Sequence, residues 1–280
     1  MEKINHHHFC YSPVQVPALL NRRFQRNLLY TETMVPECAD FAICFWQMSP
    51  RILPNETVDN IILPDGCIDF LANVNEMAIG FSGMKKTDFH YPVPAGTTAF
   101  GFRLRPGTFK ALTGLSASMA MDAFLPLEKL DAAFSATTFS QLSLPKKQQY
   151  MKETLQKLIA NRNPGDYIEL FEELYQKPVE TVRQLCARIG YSQKQTERLF
   201  MENYGLSPKV VLSIIRFQQA LVTLTAKDAS PSDILRVQGY YDQPHLIKDV
   251  KQSIGLTPLE LIQRCREDDE NLQSPSPVFY

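Results

Sequence analysis

The stretch GYSQKQTERLFMENYGLSP, from Gly190 to Pro208, returns in degenerate form as GYYDQPHLIKDVKQSIGLTP, from Gly239 to Pro258. The opening Gly-Tyr pairs lie 49 residues apart and the closing Gly-Leu-Ser/Thr-Pro runs 50, so the second copy holds one extra residue in its turn. A repeat of this length is a repeated supersecondary unit. Each copy reads as a turn, a helix, a glycine stop and a new helix opened by Ser/Thr-Pro. Ser192 suits an N-cap, with Gln195 three residues on as the other half of a capping box. Asp242 caps the second copy, and Pro244 is tolerated there because it falls in the first helical turn. The spacing predicts two tandem helix-turn-helix units.

In such a unit the first helix braces a second, whose exposed N-terminal residues enter the DNA major groove. The predicted second helix of unit one buries Thr196, Leu199 and Phe200 and turns Gln193, Lys194, Glu197 and Arg198 outward. Its counterpart turns out Gln243, His245 and Lys248. Arginine and lysine suit guanine, glutamine suits adenine, and the helix N-termini at Ser192 and Asp242 favour phosphate. Working outward, Val179 to Ile189 is the expected brace of unit one, and Lys209 to Ala226 a long helix joining the units. Ser230-Pro231 opens a helix lined by Ile234, Leu235 and Val237. Thr257-Pro258 opens the last helix, through about Cys265, and Glu267 to Tyr280 reads as a disordered tail.

The two copies and the helix between them resemble the DNA-binding domain of AraC-type transcription regulators. The most specific part is Gly239, Tyr240, Asp242, Gln243, His245, Lys251, Gly255, Thr257 and Pro258. The resemblance covers about 100 residues. It implies two helix-turn-helix subdomains on a rigid linking helix, reading adjacent major-groove segments on one face of double-stranded DNA. It also implies a role, structural or DNA-contacting, for Arg216 in the linking helix. In this sequence Glu197 puts a carboxylate toward the groove, and Val250 stands where the family usually has an aromatic residue. The front half resembles the uncharacterised domain that precedes some of these DNA-binding domains, through Phe45-Trp46, Leu63-Pro-Asp-Gly-Cys-Ile-Asp69 and Gly101-Phe-Arg-Leu-Arg-Pro-Gly107. The implied role is effector sensing or dimerisation. Asp69, Arg103 and Arg105, polar residues at strand ends, are the candidates to line an effector site. Asp65 stands near them in an Asp-Gly turn signal. Expected partners are therefore a DNA duplex, a small-molecule effector, a second copy of the chain and, for an activator, RNA polymerase.

The front half itself reads as strands: Phe41–Trp46, Val58–Leu63, Cys67–Ala72, Ala78–Phe81 and Thr98–Leu104, with Pro64-Asp65-Gly66 as a turn. Thr108 to Leu115 and Leu125 to Phe134 read as short helices, and Ser140 to Pro145 as a connector. An amphipathic helix follows from Lys146 to Arg162, then a helical segment from Tyr167 to Tyr175. The expected class is α+β: a β-rich barrel or sandwich-like domain over residues 1–140, a helical linker over 141–165, an all-α double helix-turn-helix domain over 166–266, and the tail, with residues 166–280 expected to fold and bind a duplex alone.

Composition supports two soluble domains, with 280 residues and a formal net charge of −1. From Pro178 to Cys265 there are 11 Lys/Arg against 8 Asp/Glu, so any DNA affinity rests on where those charges sit. No apolar run reaches membrane-spanning length and the N-terminus has no signal-peptide core, which makes the cytoplasm the expected location and a membrane partner unexpected. The six cysteines show no CxxC pair, and a solvated terminal run is the reading of His6-His7-His8; no metal or other cofactor is expected. A second class, a cupin-like small-molecule binder or metal-dependent enzyme with a helical accessory domain, needs two or three converging ligands. The barrel region offers only His90 beyond the terminal run, so no catalytic residue is assigned. A third, a methyl-accepting regulator, finds only Cys265 among basic neighbours, between Arg264 and Arg266.

Overall fold

The computed structural model describes residues 9–16, 20–51, 57–83, 90–130, 134–160 and 162–271; His6-His7-His8 and residues 272–280 lie outside the described residues. A short helix α1 (Arg22–Asn27) leads into β1 (Leu28–Met34), followed by β2 (Ala42–Pro50), β3 (Thr57–Ile61), β4 (Ile68–Asn73), β5 (Ala78–Gly83), β6 (His90–Pro94), β7 (Ala99–Leu104) and β8 (Phe124–Pro126). Six strands form one sheet in the order β1-β2-β7-β4-β5-β8, and β3 pairs with β6 in a second. All pairings are antiparallel.

Strand periodicity divides the large sheet into two unlike faces. Phe45, Phe70, Phe81, Phe100 and Phe102 share one face, with Phe45 opposite Phe102 and Phe70 between Phe102 and Phe81. Most of that face lies in the main core. The other face carries Trp46, Gly101, Leu71, Asp69 and Arg103 in register across β2, β7 and β4. Part of this second face, with Val58 of the small sheet, Phe24 and Leu28, closes a separate apolar cluster. The β-rich, sandwich-like front half is thus as the short strands and the turns between them predict.

Two local expectations fail there. Leu125 opens no helix: Phe124-Leu125-Pro126 is an edge strand paired with β5, Leu125 opposite Phe81, followed by a 3-10 turn at Leu127–Lys129. An edge accepts the proline that has no N–H to give. Ser140 is not in a connector either, because helix α3 (Ala136–Gln141) runs through it after α2 (Thr108–Thr113).

Helices α4 (Leu144–Ile159) and α5 (Asp166–Gln176) lead into the repeat. Unit one comprises α6 (Val182–Ile189) and α7 (Gln193–Tyr204); α8 (Pro208–Leu224) crosses to unit two, whose second helix is α9 (Gln243–Ile254), and α10 (Pro258–Asn271) closes the chain. The brace of unit two departs from expectation. It is a six-residue 3-10 helix, Pro231–Arg236, with no buried residue, and Leu235 is 71% exposed. Ile234 and Val237, three apart, are the half-buried residues on the unit-two core. That spacing suits three residues per turn. Helix α10 also outruns its expected end at Cys265, and Glu267 pairs with Arg22 at 3.0 Å.

One hydrophobic core runs from the sheet through α5 to unit one, joining Phe81, Phe109 and Met151 to Phe171, Leu185, Phe200, Tyr204 and Ile215. Gly205 marks the closest approach. Its φ is +70°, and a Cβ there would lie 2.4 Å from Met121 Cγ and 2.9 Å from the Ala117 carbonyl oxygen. The matching Gly255 of unit two has the same conformation and open space around it. Unit two instead shares a core with Leu20, Val14, Val16, Ile61 and Leu63 of the front half.

Candidate nucleic-acid interface

Helices α7 and α9 begin and end by the same local chemistry. Ser192 caps α7 in a full capping box with Gln195, and Asp242 caps α9 by accepting from the His245 amide at 2.9 Å. Gly205 and Gly255 stop the helices in the left-handed region. Burial also matches: over residues 191–200 and 241–250 the sequence of buried, half-buried and exposed positions is the same, residue for residue. Thr196 and Phe200 go inward in α7, Leu246 and Val250 in α9. Val250, in place of an aromatic, is fully buried.

Equal caps and equal burial put equivalent positions on equivalent outer faces. Gln193, Lys194, Glu197 and Arg198 are exposed on α7; Gln243, His245 and Lys248 are exposed on α9. Within α7, Gln193 Nε2 donates to Glu197 Oε1 at 3.0 Å. His245 lies edge-on to Tyr240 with ring centroids 5.2 Å apart. Arg216 sits apart from this outer face. Its guanidinium lies 5.0 Å from the Tyr240 ring centroid, and the Tyr240 hydroxyl donates to Asp249 at 2.8 Å. This stack seats the turn of unit two on α8.

The three expected effector residues do not form one group. Asp69 and Arg103 are cross-strand partners. Arg103, almost fully buried, approaches Glu32 at 2.6 Å, Asp65 at 3.5 Å and Asp69 at 3.9 Å, and donates to the Tyr30 oxygen at 3.1 Å. Burial pushes the Asp69 carboxyl up to about 7, against the opposing pull of Arg103. Arg105 lies elsewhere: it donates to the carbonyls of Ala39 and Tyr11, at 2.6 and 3.3 Å, and stands 4.0 Å from Glu172. Surface depressions of about 640 and 370 Å³ lie beside Pro178–Arg188 and between Met34, Phe102 and Lys152, and neither is lined by Asp69 or Arg103.

The residues joining the two halves were not singled out from sequence. Buried Glu172 of α5 accepts from the amides of Cys10 and Tyr11, at 2.6 and 3.1 Å. Buried Gln218 of α8 accepts from the Val14 amide and donates to the Pro64 carbonyl, both at 2.7 Å. Asp65, next to Pro64, also meets Arg103, so the buried charge cluster connects to the linking helix through one turn. The available signal was a polar Gln218 on the inward stripe of an apolar helix.

Among the described residues no group of three His, Cys, Asp or Glu is placed to hold a metal ion, and no helix is long and apolar enough to cross a membrane. Among the described residues the cysteines form no disulfide. Burial pushes the thiols of Cys38 and Cys44 up to about 12, far from the range of a nucleophile at neutral pH. Arg264 and Arg266, beside Cys265, donate to the carbonyls of Leu20 and Ala229.

The fold and these two outer faces define a DNA-binding protein with a duplicated helix-turn-helix. Residues 185–264 match the family described as "Helix-turn-helix domain", and residues 36–126 match a "Domain of unknown function (DUF6597)". The C-terminal domain is of the AraC type, and the chain is a DNA-binding transcription regulator of that type. No curated protein matches the chain. Among solved structures, ToxT from Vibrio cholerae is similar at 10% identity, covering 85% of this chain and 96% of that one with a TM-score of 0.37. A fatty-acid-bound form of ToxT from Vibrio cholerae is similar at 9% identity over 84% and 93%, with a TM-score of 0.36.

Proposed function

We propose that the chain controls transcription in the cytoplasm by laying α7 and α9 into adjacent major-groove segments of one duplex, and that the front half governs their posture. The observation that carries this reading is the matched burial and capping of the two helices, which leaves equivalent polar stripes uncovered. Gln193, Lys194, Glu197 and Arg198 face one segment; Gln243, His245 and Lys248 face the other. The N-termini capped by Ser192 and Asp242 direct free amides toward phosphate. Helix α8 has 17 residues, about 25 Å at 1.5 Å per residue, and holds the two units at a fixed separation.

An Arg198→Ala chain is expected to lose roughly 1–3 kcal/mol of binding to its selected duplex and to relax preference at one base position. Lys248→Ala, where the lysine contacts phosphate, weakens all duplexes alike and lowers the salt slope by about one. Titrations against the selected site and its single-base mismatches, at several salt concentrations, check both. Unchanged affinity and specificity in both variants, with intact folds, would leave the repeat a structural or protein-binding module.

Control enters through the Asp69–Arg103 cluster and the joined core, by a small-molecule effector, by pairing of two copies, or by both; an activator also meets RNA polymerase. A ligand that takes Asp69 or Arg103 disturbs Asp65, and with it the turn that holds Gln218 of α8. A metabolite screen by thermal shift on the intact chain and on Asp69→Asn checks the effector arm, with a shift expected in the former and lost in the latter. Sedimentation of the same chain checks the dimer. A monomer that no metabolite shifts would remove both routes.

A further inference from the structure

The two units carry different side chains at equivalent outer positions, and the difference has a chemical direction. The matched burial pattern pairs Gln193 with Gln243, Glu197 with Ile247 and Arg198 with Lys248. In unit one a carboxylate stands where unit two has an aliphatic side chain. Glutamate only accepts hydrogen bonds, and in the major groove cytosine N4 offers it a donor; Arg198 beside it suits guanine. At these two positions unit one therefore suits G·C pairs.

Ile247 is 40% exposed on α9. Gln243 and Lys251, four residues before and after it, are exposed on the same side. Single exposed apolar side chains are ordinary on protein surfaces. What distinguishes Ile247 is its position: it occupies the recognition face at the place of Glu197, between two polar groups of the kind that meet DNA. The major groove offers such a side chain one apolar partner, the 5-methyl group of thymine. Gln243 has no carboxylate at the position that in unit one binds Gln193. It keeps both its amide groups for the N6/N7 edge of an adenine.

We propose that Ile247 is a specificity-determining residue that packs on a thymine methyl, so that unit two reads an A·T segment next to the G·C segment read by unit one. This rests on the two-helix reading above and deepens it.

The test uses the full chain and a duplex selected from a random library. Each thymine is replaced in turn by deoxyuridine, which removes the methyl group and leaves the hydrogen-bonding edges intact. One replacement is expected to weaken binding about fourfold, the worth of one buried methyl-sized group. Ile247→Ala is expected to weaken the thymine duplex by a similar factor and to bind thymine and uracil duplexes equally. Ile247→Glu is expected to move the preference at that position toward cytosine. A selected site at which no uracil replacement matters, or a thymine preference that survives in Ile247→Ala, overturns this proposal and leaves the two-helix reading standing. A chain that selects no sequence overturns both.

Discussion

An Arg103→Leu chain is expected to lose about 3–5 kcal/mol of stability at pH 8, the cost of leaving buried charges without their partner. Arg103 is 5% exposed, and its guanidinium is shared among Glu32, Asp65 and Asp69. Leucine fills part of the space and answers none of the three carboxylates. The deficit is expected to depend on pH. Asp69 already sits near 7 because of its burial, against an ordinary value of about 3.9. Removing the guanidinium raises its folded value further. A carboxyl whose folded value lies above its unfolded one favours folding at low pH, and loses that stabilisation as pH rises through the folded value. The variant is therefore expected to lie closer to the parent at pH 5 than at pH 8. Denaturant melts at the two values check it; a deficit that grows toward pH 5 would contradict this account of the cluster.

Glu172→Leu is expected to cost about 3 kcal/mol or more and to release the N-terminal segment from α5. Its carboxylate, 7% exposed, accepts from the amides of Cys10 and Tyr11, and Arg105 lies 4.0 Å away. The buried Tyr11 amide left without an acceptor costs about 1–3 kcal/mol, and a buried guanidinium more. Tyr11 goes with the segment: its ring is fully buried between Phe171 and Tyr175, and its hydroxyl donates to the Asp65 carbonyl at 2.7 Å. Hydrogen exchange read at residues 9–16, with thermal melts, checks both parts. Undiminished protection of those amides in a stable variant would show that apolar packing alone holds the segment. The same shared core bears on dissection. A fragment of residues 166–280 leaves Ile168, Phe171 and Leu174 without the partners that bury them in the intact chain, so it is expected to melt well below that chain.

The repeat was legible because its signals are local. Gly190, Gly205, Gly239 and Gly255 all take positive φ, Ser192 and Asp242 cap, and Ser207-Pro208 opens α8. Each signal depends on a few adjacent residues, so the sequence carries it intact. Short apolar runs bounded by turn signals likewise marked β2, β4, β5 and β7. What stayed hidden depends on distant partners. Leu125 looks helical until β5 is there to pair with it. Pro231–Arg236 has the opening of an α-helix, but Leu235 finds no core. Asp69, Arg103 and Arg105 read as one group in the sequence, but strand register brings only the first two together, while Arg105 turns to Glu172 just past the end of β7. Glu172 and Gln218 gave little signal, since their partners are backbone groups more than 150 residues away in sequence.

The central claim is that α7 and α9 engage one duplex together at a separation fixed by α8. Its most direct test is the affinity of the full chain for its selected duplex and for the same duplex with five base pairs inserted between the two contacted segments. Five base pairs turn one segment about half a helical turn away from the other. The account predicts a loss of a hundredfold or more, with the remaining affinity matching that of a duplex carrying one segment alone. Equal affinity for the parent and inserted duplexes would contradict it.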